Sequence, residues 1–205
     1  MFSKIRMAAV AASSSLAMLA AIAPSAHAGL LSLAPGACGQ QEVQPFTQVG
    51  DDNYYVLVPG GSFESGTPSW LLLGGAQVVS GDAYDGSRSL SLPAGSVATS
   101  PPACTGIDHP SARLFVRNTG SASSRLNVWA TYPPVLGLLP DVVYLGQLSG
   151  SGTWAPSSYV EMGLLNNTIG SLNLGESTIS FTFAPADSSG QWQIDDVYLD
   201  PFRRM

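Results

Sequence analysis

The sequence predicts an all-β domain built as a two-sheet antiparallel sandwich, and three observations carry that expectation. Short segments alternate apolar and polar residues with a period of two, the signature of a strand with one face in a core and one in water. Gly, Asn, Asp and Ser clusters punctuate the chain between them, as hairpin turns require. No stretch keeps a 3.6-residue apolar period for three turns, so helix has no claim on the pattern.

Taken in order, the first residues stand apart. Lys4 and Arg6 give a basic start, and Met7 to Ala23 is a run of small and apolar residues. Ala26-His27-Ala28 then offers the small-x-small site that a signal peptidase accepts. Residues 1–28 therefore read as a cleaved signal peptide. The run is too short and too alanine-rich for the roughly 20 apolar residues of a membrane span, so the processed protein is expected to be secreted, extracellular and without a span.

The processed chain divides into an N-terminal segment, 29–53, and a sandwich domain, 54–200. Alternation marks strands at Arg88–Leu92, Arg113–Arg117, Arg125–Thr131, Thr178–Phe183 and Gln191–Leu199. Shorter apolar runs at Trp70–Leu73, Ala76–Val79, Val142–Leu145 and Tyr159–Leu165 supply further strands, for about nine to eleven in all. Turn signals separate them at Gly74-Gly75, Asp85-Gly86, Asn118-Thr119-Gly120, Asn166-Asn167 and Asp187-Ser-Ser-Gly190. No fixed-period repeat is present.

Composition narrows the function. Lys4 is the only lysine, so the processed chain carries six arginines against all 14 acidic residues, and the net charge moves from −6 to −8. An acidic domain without a basic footprint is unsuited to nucleic acid or to anionic membrane surfaces. The only two cysteines, Cys38 and Cys104, both lie in the exported part. In an oxidising compartment they are expected to form one disulfide, with a stabilisation of about 4 kcal/mol in the chain-entropy model.

A resemblance then emerges from the two ends of the domain. Pro59-Gly60-Gly61-Ser62-Phe63-Glu64, followed by Trp70 and by Asp85-Gly86-Ser87-Arg88-Ser89-Leu90, resembles the opening of jelly-roll carbohydrate-binding modules with a galactose-binding-like fold. Those modules begin with a Gly-x-Phe-Glu turn, a tryptophan, and a "small-Gly-x-x-Ser-Leu" strand. Trp192-Gln193-Ile194-Asp195-Asp196-Val197 is similar to their closing "Ile-Asp-Asp-Val" strand. The chain also resembles a group of uncharacterised secreted bacterial proteins that share these ends and the two cysteines. The first resemblance implies a jelly roll whose first and last strands lie side by side, with Trp70, Trp154 and Trp192 in the core.

It also implies a structural calcium. Glu64, the carbonyls of Ser62 and Arg88, Asp85, and Asp195 or Asp196 occupy the positions that hold one in such modules, and the family pattern favours Asp195. Ca²⁺ takes about six to eight oxygen ligands, which suits carboxylates gathered beside a Gly-rich turn. Arg88 is the competing partner, because an ion pair with Glu64 or an aspartate leaves no need for a metal. Adjacent residues of a strand point to opposite faces, so one of the two aspartates is the expected ligand.

Sugar binding needs exposed aromatic faces for pyranose C–H groups, with polar neighbours for the hydroxyls. Tyr84, Tyr132 and Tyr144, near loops or strand ends, are the platform candidates. No catalytic constellation assembles. His109 is the one histidine after residue 28, no Gly-x-Ser-x-Gly elbow is present, and Glu161 has no partner carboxylate for glycoside hydrolysis. The expectation is a secreted, non-catalytic domain that binds extracellular polysaccharide or a cell-surface glycan. An extracellular structural or protein-interaction domain is the alternative, and a glycoside hydrolase ranks third.

Overall fold

The computed structural model describes residues 41–66, 69–105, 110–134, 140–162 and 177–200. Among them are fourteen strands and one short 3₁₀ turn, Thr47–Val49, and the strands form two antiparallel sheets that enclose a common core.

The longest strand, β14 (Gln191–Asp200), organises the first sheet. Along one edge it pairs with β8 (Ser111–Asn118), which in turn carries β11 (Ala155–Pro156) and β12 (Val160–Glu161). Along its other edge, β14 changes partner. Gln191–Ile194 pair with β5 (Arg88–Pro93), which carries β4 (Gln77–Ser80), whereas Tyr198 and Leu199 pair with β2 (Tyr55–Leu57), which carries β1 (Glu42–Val43). β2, the first strand of the stretch 54–200, and β14, the last, thus lie side by side, as the resemblance implied. Between Asp195 and Tyr198 the ladder to β8 shifts register, and Asp196 takes a left-handed backbone with φ 45°.

The second sheet runs β10 (Asp141–Leu148), β9 (Leu126–Tyr132), β13 (Ser177–Pro185), β6 (Val97–Thr99), β3 (Leu71–Leu73), with β7 (Ala103–Thr105) also on β13. Strict alternation explains how it packs. Leu126, Val128, Ala130 and Tyr132 of β9 and Ile179, Phe181 and Phe183 of β13 point inward, where they meet Leu90, Leu92, Leu114, Val116, Trp192 and Ile194 of the first sheet. Burial of each large apolar side chain contributes about 1.5–3 kcal/mol, which makes this layer the main source of stability.

A second, smaller core lies on the outside of the first sheet. Phe115 and Tyr198 alternate with inward neighbours and so face away from the main core, yet both are buried. Phe46 covers them, with ring centroids 4.9 Å from Phe115 and 5.7 Å from Tyr198, and Tyr55 joins the cluster at 4.8 Å from Phe46. The described part of the N-terminal segment, residues 41–53, contributes β1 and Phe46 to this packing. Residues 42–57 supply two strands and the cover of this outer core.

A buried polar network fixes that cover. The Asp51 carboxylate accepts hydrogen bonds from the Tyr55 hydroxyl at 2.5 Å, the Tyr159 hydroxyl at 2.9 Å, the Asn53 amide at 3.2 Å and the Arg113 guanidinium. Arg113 is itself held between the rings of Phe46 and Tyr159. Burial pushes the Asp51 carboxyl up, but these four donors outweigh it and hold the group below its usual range.

Trp70 and Trp192 are core residues, as expected; Trp154 is partly buried beside the outer core. Cys104 is buried on β7 and is not a free thiol. Cys38, the signal segment, His109 and residues 163–165 of the strand expected at Tyr159–Leu165 lie outside the described residues, and of that strand β12 (Val160–Glu161) is formed.

Candidate functional site

Two places collect the residues singled out in the sequence. The first is the junction where β14 changes partner from β5 to β2. The turn 59–66 enters this gap because Gly61 has no side chain: a Cβ there would meet the Val58 and Val197 carbonyl oxygens at 2.9 and 3.0 Å. The turn bonds to β14 through Val197 N donating to Gly61 O, next to Val58 N donating to Val197 O. Phe63, in a left-handed conformation with φ 57°, then drops into the core against Trp70, 5.0 Å away, and Glu64 turns outward.

Glu64 is a staple for the loop before β5. Its Oε1 accepts the Ser87 and Arg88 amides at 2.8 and 2.7 Å, and its Oε2 accepts the Ser87 hydroxyl at 2.9 Å. The two backbone amides hold its pKa below the ordinary value. Arg88 therefore reaches Glu64 through its backbone, and the side-chain ion pair considered from the sequence is not formed. Asp195 holds the same loop from beneath. Its Oδ2 accepts the Tyr84 and Asp85 amides at 2.9 and 3.4 Å, and its Oδ1 accepts the Asp196 amide at 2.9 Å.

Asp196 is different. It is buried, and among the described residues no donor is hydrogen-bonded to its carboxylate. Burial, then the charges of Asp85 and Glu64, push its pKa up to about 6. Burial and the Asp196 charge push Asp195 up to about 7, against the three amides that pull it down. The oxygen chemistry of Asp196, Asp85, Glu64 and the Ser62 carbonyl fits a hard divalent cation. As placed, however, no three acidic, histidine or cysteine side chains among the described residues form a group able to hold a metal.

The second place is the outward face of the second sheet. The alternation that sends Leu126, Val128, Ala130 and Tyr132 inward sends Asn127, Trp129 and Thr131 outward. Register then aligns Tyr144 of β10, Trp129 of β9, Thr182 of β13, Thr99 of β6 and Leu71 of β3 in one row across five strands. A parallel row places Gln147 and Ala184 on either side of Asn127. Four of the exposed large apolar side chains, Leu71, Leu73, Val142 and Tyr144, lie on this one face. Its centre is polar: the Thr99 and Thr182 hydroxyls are 2.9 Å apart, and Asn127 Oδ1 accepts both the Tyr144 hydroxyl at 3.1 Å and Gln147 Nε2 at 2.9 Å. Trp129 and Tyr144 form the aromatic end of the row, with centroids 5.6 Å apart and planes inclined by 53°.

The three candidate tyrosines divide accordingly. Tyr144, 52 % exposed, stands on this face. Tyr84 lies on the other side of the sandwich, stacked on Phe115 at 3.5 Å, where it helps to cover the outer core. Tyr132 is a correction. It is only 4 % exposed, because β9 parity sends it into the core, so it offers no platform. There, burial and then the Asp141 charge push its phenol up to about 12. Trp129 is an outward aromatic neighbour of Tyr144 that the sequence reading does not single out, although the alternation of its own strand is the signal that places it outward.

No protein-family model matches the chain, and no curated protein matches it in sequence. Solved structures do. A structure of the CBM22-1 and GH10 modules of an endo-1,4-β-D-xylanase of Clostridium thermocellum, complexed with xylohexaose, matches with a TM-score of 0.52 and 17 % identity, over 72 % of this chain and 29 % of that one. A xylan-binding domain from Paenibacillus barcinonensis matches with a TM-score of 0.49 and 16 % identity, over 71 % of this chain and 94 % of that one. A family 61 carbohydrate-binding module in complex with β-1,4-galactotriose gives 0.43 and 15 %, over 70 % and 96 %. At such identities the likeness is one of fold, and the fold of this chain is the two-sheet jelly-roll sandwich of carbohydrate-binding modules.

Proposed function

We propose that this chain is a secreted, non-catalytic carbohydrate-binding domain whose ligand lies on the outward face of the second sheet. The observation that carries the reading is the row Tyr144–Trp129–Thr182–Thr99–Leu71, in which two aromatic rings adjoin paired hydroxyls on a rigid sheet. Rings supply C–H stacking and the hydroxyls and amides fix sugar hydroxyls, the combination a glycan site needs. The fold shared with carbohydrate-binding modules supports the reading. The signal-like segment 1–28 supports export, and export supports the Cys38–Cys104 disulfide.

The test is affinity electrophoresis of the processed domain through gels containing soluble xylan, galactan, glucomannan or hydroxyethyl cellulose. Retardation by at least one polymer is expected, and Trp129→Ala with Tyr144→Ala is expected to abolish it. Free migration in every gel would remove the carbohydrate reading and favour a protein-interaction domain, for which the apolar rim of Leu71 and Leu73 would be the contact.

Calcium is a second, separable part of the proposal. Glu64 and Asp195 already close the strand junction as hydrogen-bond acceptors, and Asp196 is the carboxylate left for a cation, with the Asp85 and Glu64 charges acting on it and the Ser62 carbonyl as the further ligand that the resemblance implies. The ion would supply charge neutralisation at a buried position. Added Ca²⁺ at pH 7.5 is expected to raise Tm in the wild type and not in Asp196→Asn. A melt indifferent to both Ca²⁺ and chelator would exclude the ion.

A further inference from the structure

An edge strand offers a row of unpaired N–H and C=O groups to any other strand, and proteins blunt such edges with charge, proline, bulges or cover. Among the described residues, the edges of this sandwich follow that rule with one exception. β1 carries Glu42, β11 carries Pro156 and β12 carries Glu161, while β10 starts at Asp141 and shifts register between Tyr144 and Gly146. β4 shows no large apolar side chain to solvent, and β7 is buried throughout. The exception is β3. It is Leu71-Leu72-Leu73, paired among the described residues with β6 alone, and Leu71 and Leu73 are 57 % and 52 % exposed. We infer that β3 is the contact between two copies of this chain, paired antiparallel about a twofold axis that passes between their Leu72 residues.

The strand is held ready for such a partner. Trp70, just before it, is buried, and its indole N–H donates to the Pro59 carbonyl at 3.1 Å. Just after it, Gly74 takes φ +63° and lies so close to the next turn that a Cβ would collide with the Gly95 carbonyl oxygen. Ala76 N closes the turn by donating to Leu73 O at 3.2 Å. Leu72 packs on the core, which fixes Leu71 and Leu73 on the outward face. A strand anchored at both ends loses little conformational freedom when it pairs.

Charge and symmetry identify the partner as a second copy. The processed chain has a net charge of −8, yet no ionisable side chain lies between Glu64 and Asp82, the stretch that contains β3 and β4. The neighbouring strand β6 is Val97-Ala98-Thr99 and is equally uncharged. Two like-charged copies can therefore meet here with their charges outside the contact. A basic partner, which the rest of the acidic surface would attract, finds no carboxylate on this strand. Antiparallel pairing about Leu72 is also self-complementary. Leu71 of each copy faces Leu73 of the other, so four half-exposed leucines cover one another on one face. The twofold uses the β3 edge of both copies and closes the assembly at a dimer. The contact is small, and the dimer is correspondingly weak, with a dissociation constant on the order of 10⁻⁴ M.

The dimer does not depend on the carbohydrate reading above, but it has a consequence for it. A twofold normal to the joined sheet leaves both Tyr144–Trp129–Thr182–Thr99–Leu71 rows on the same face, their leucine ends adjoining at the axis. A long polymer would then be held bivalently.

Sedimentation velocity of the processed chain, from about 10 µM to about 1 mM, tests the contact directly. A reversible monomer–dimer equilibrium is expected. Leu71→Lys combined with Leu73→Lys is expected to weaken it at least about tenfold, because each lysine then faces a lysine. Leu71→Glu combined with Leu73→Lys sets Glu opposite Lys in both pairs and is expected to recover most of the association, an outcome specific to the antiparallel register. Thermal melts accompany each variant. If a double variant fails to fold, Leu73→Lys alone is expected to weaken the dimer, and wild-type hydrogen exchange is expected to slow at Leu71–Leu73 as concentration rises. A monomer throughout the range, assembly beyond a dimer, a dimer indifferent to the lysines, or a Glu–Lys variant no tighter than the Lys–Lys one would overturn the inference. The gels described above decide polysaccharide binding separately, so either proposal can fail without the other.

Discussion

Trp129 and Tyr132 sit three residues apart on the same strand and have opposite fates, which shows how far a single side chain is governed by strand parity. Trp129 points outward beside Tyr144. Replacement of Trp129 by Ala is expected to cost at least about tenfold in ligand affinity, ~1.4 kcal/mol, with a change in folding stability within about 1 kcal/mol because the ring is only partly buried. Tyr132 points inward, and its hydroxyl is buried without a hydrogen-bond partner. An unsatisfied buried hydroxyl is a cost to the fold, so Tyr132→Phe is expected to raise stability by about 1 kcal/mol in chemical denaturation. Asp196 gives a residue-scale pH dependence. Its folded pKa is raised to about 6 and that of Asp195 to about 7. The native state therefore binds more protons than the unfolded chain between about pH 4 and pH 7. Stability is expected to fall as pH rises through that window in calcium-free buffer, and Asp196→Asn is expected to flatten the fall. A profile equally steep in the variant would show that Asp196 is not the group responsible.

At the scale of elements, the loop before β5 depends on two carboxylates and one glycine. Gly86 has φ +68°, and a Cβ there would come within 2.5 Å of Glu64 Oε1. Gly86→Ala is expected to destabilise by on the order of 2 kcal/mol, from the left-handed backbone and from displacement of the Glu64 staple. The N-terminal cover depends in the same way on Asp51. Its loss in Asp51→Ala leaves Arg113 and two tyrosine hydroxyls without their acceptor, and about 3 kcal/mol of destabilisation is expected at neutral pH. Because its folded pKa is lowered, the contribution of Asp51 is complete above the unfolded value and fades as pH falls below about 3.8. Strands β5, β8, β9, β13 and β14 are legible in the sequence, since each is long enough to show period-two alternation. β1, β2, β7 and β11 hold two or three residues each, too few for any period to register. The outer core is illegible for another reason: Phe115 belongs to a strand whose outward residues read as solvent-facing, and only the return of Phe46 and Tyr84 across the sheet buries it.

For the whole molecule, the two ends of the sequence are informative because they meet. The Phe63-Glu64 turn and the Asp195-Asp196 pair are joined through Val58, Gly61 and Val197 at the point where β14 passes from one partner to the next. The sequence pattern points to Glu64 and the Asp195-Asp196 pair, but not to the division of labour among them, which depends on hydrogen bonds donated by a loop 110 residues away from Asp195. The face proposed for the ligand is half-legible: Tyr144 stands out in the sequence, while its partners Trp129, Asn127, Thr99 and Thr182 come from three other strands and are aligned only by register. Chemical-shift mapping tests the location of the ligand most directly. Titration of the ¹⁵N-labelled processed domain with the best-binding soluble polysaccharide fragment is expected to perturb the amides of Thr99, Asn127, Tyr144 and Thr182 and the Trp129 indole, with residues 82–88 unchanged. Perturbations confined to residues 41–66 and 82–88, with the Trp129 indole unmoved, would contradict the account.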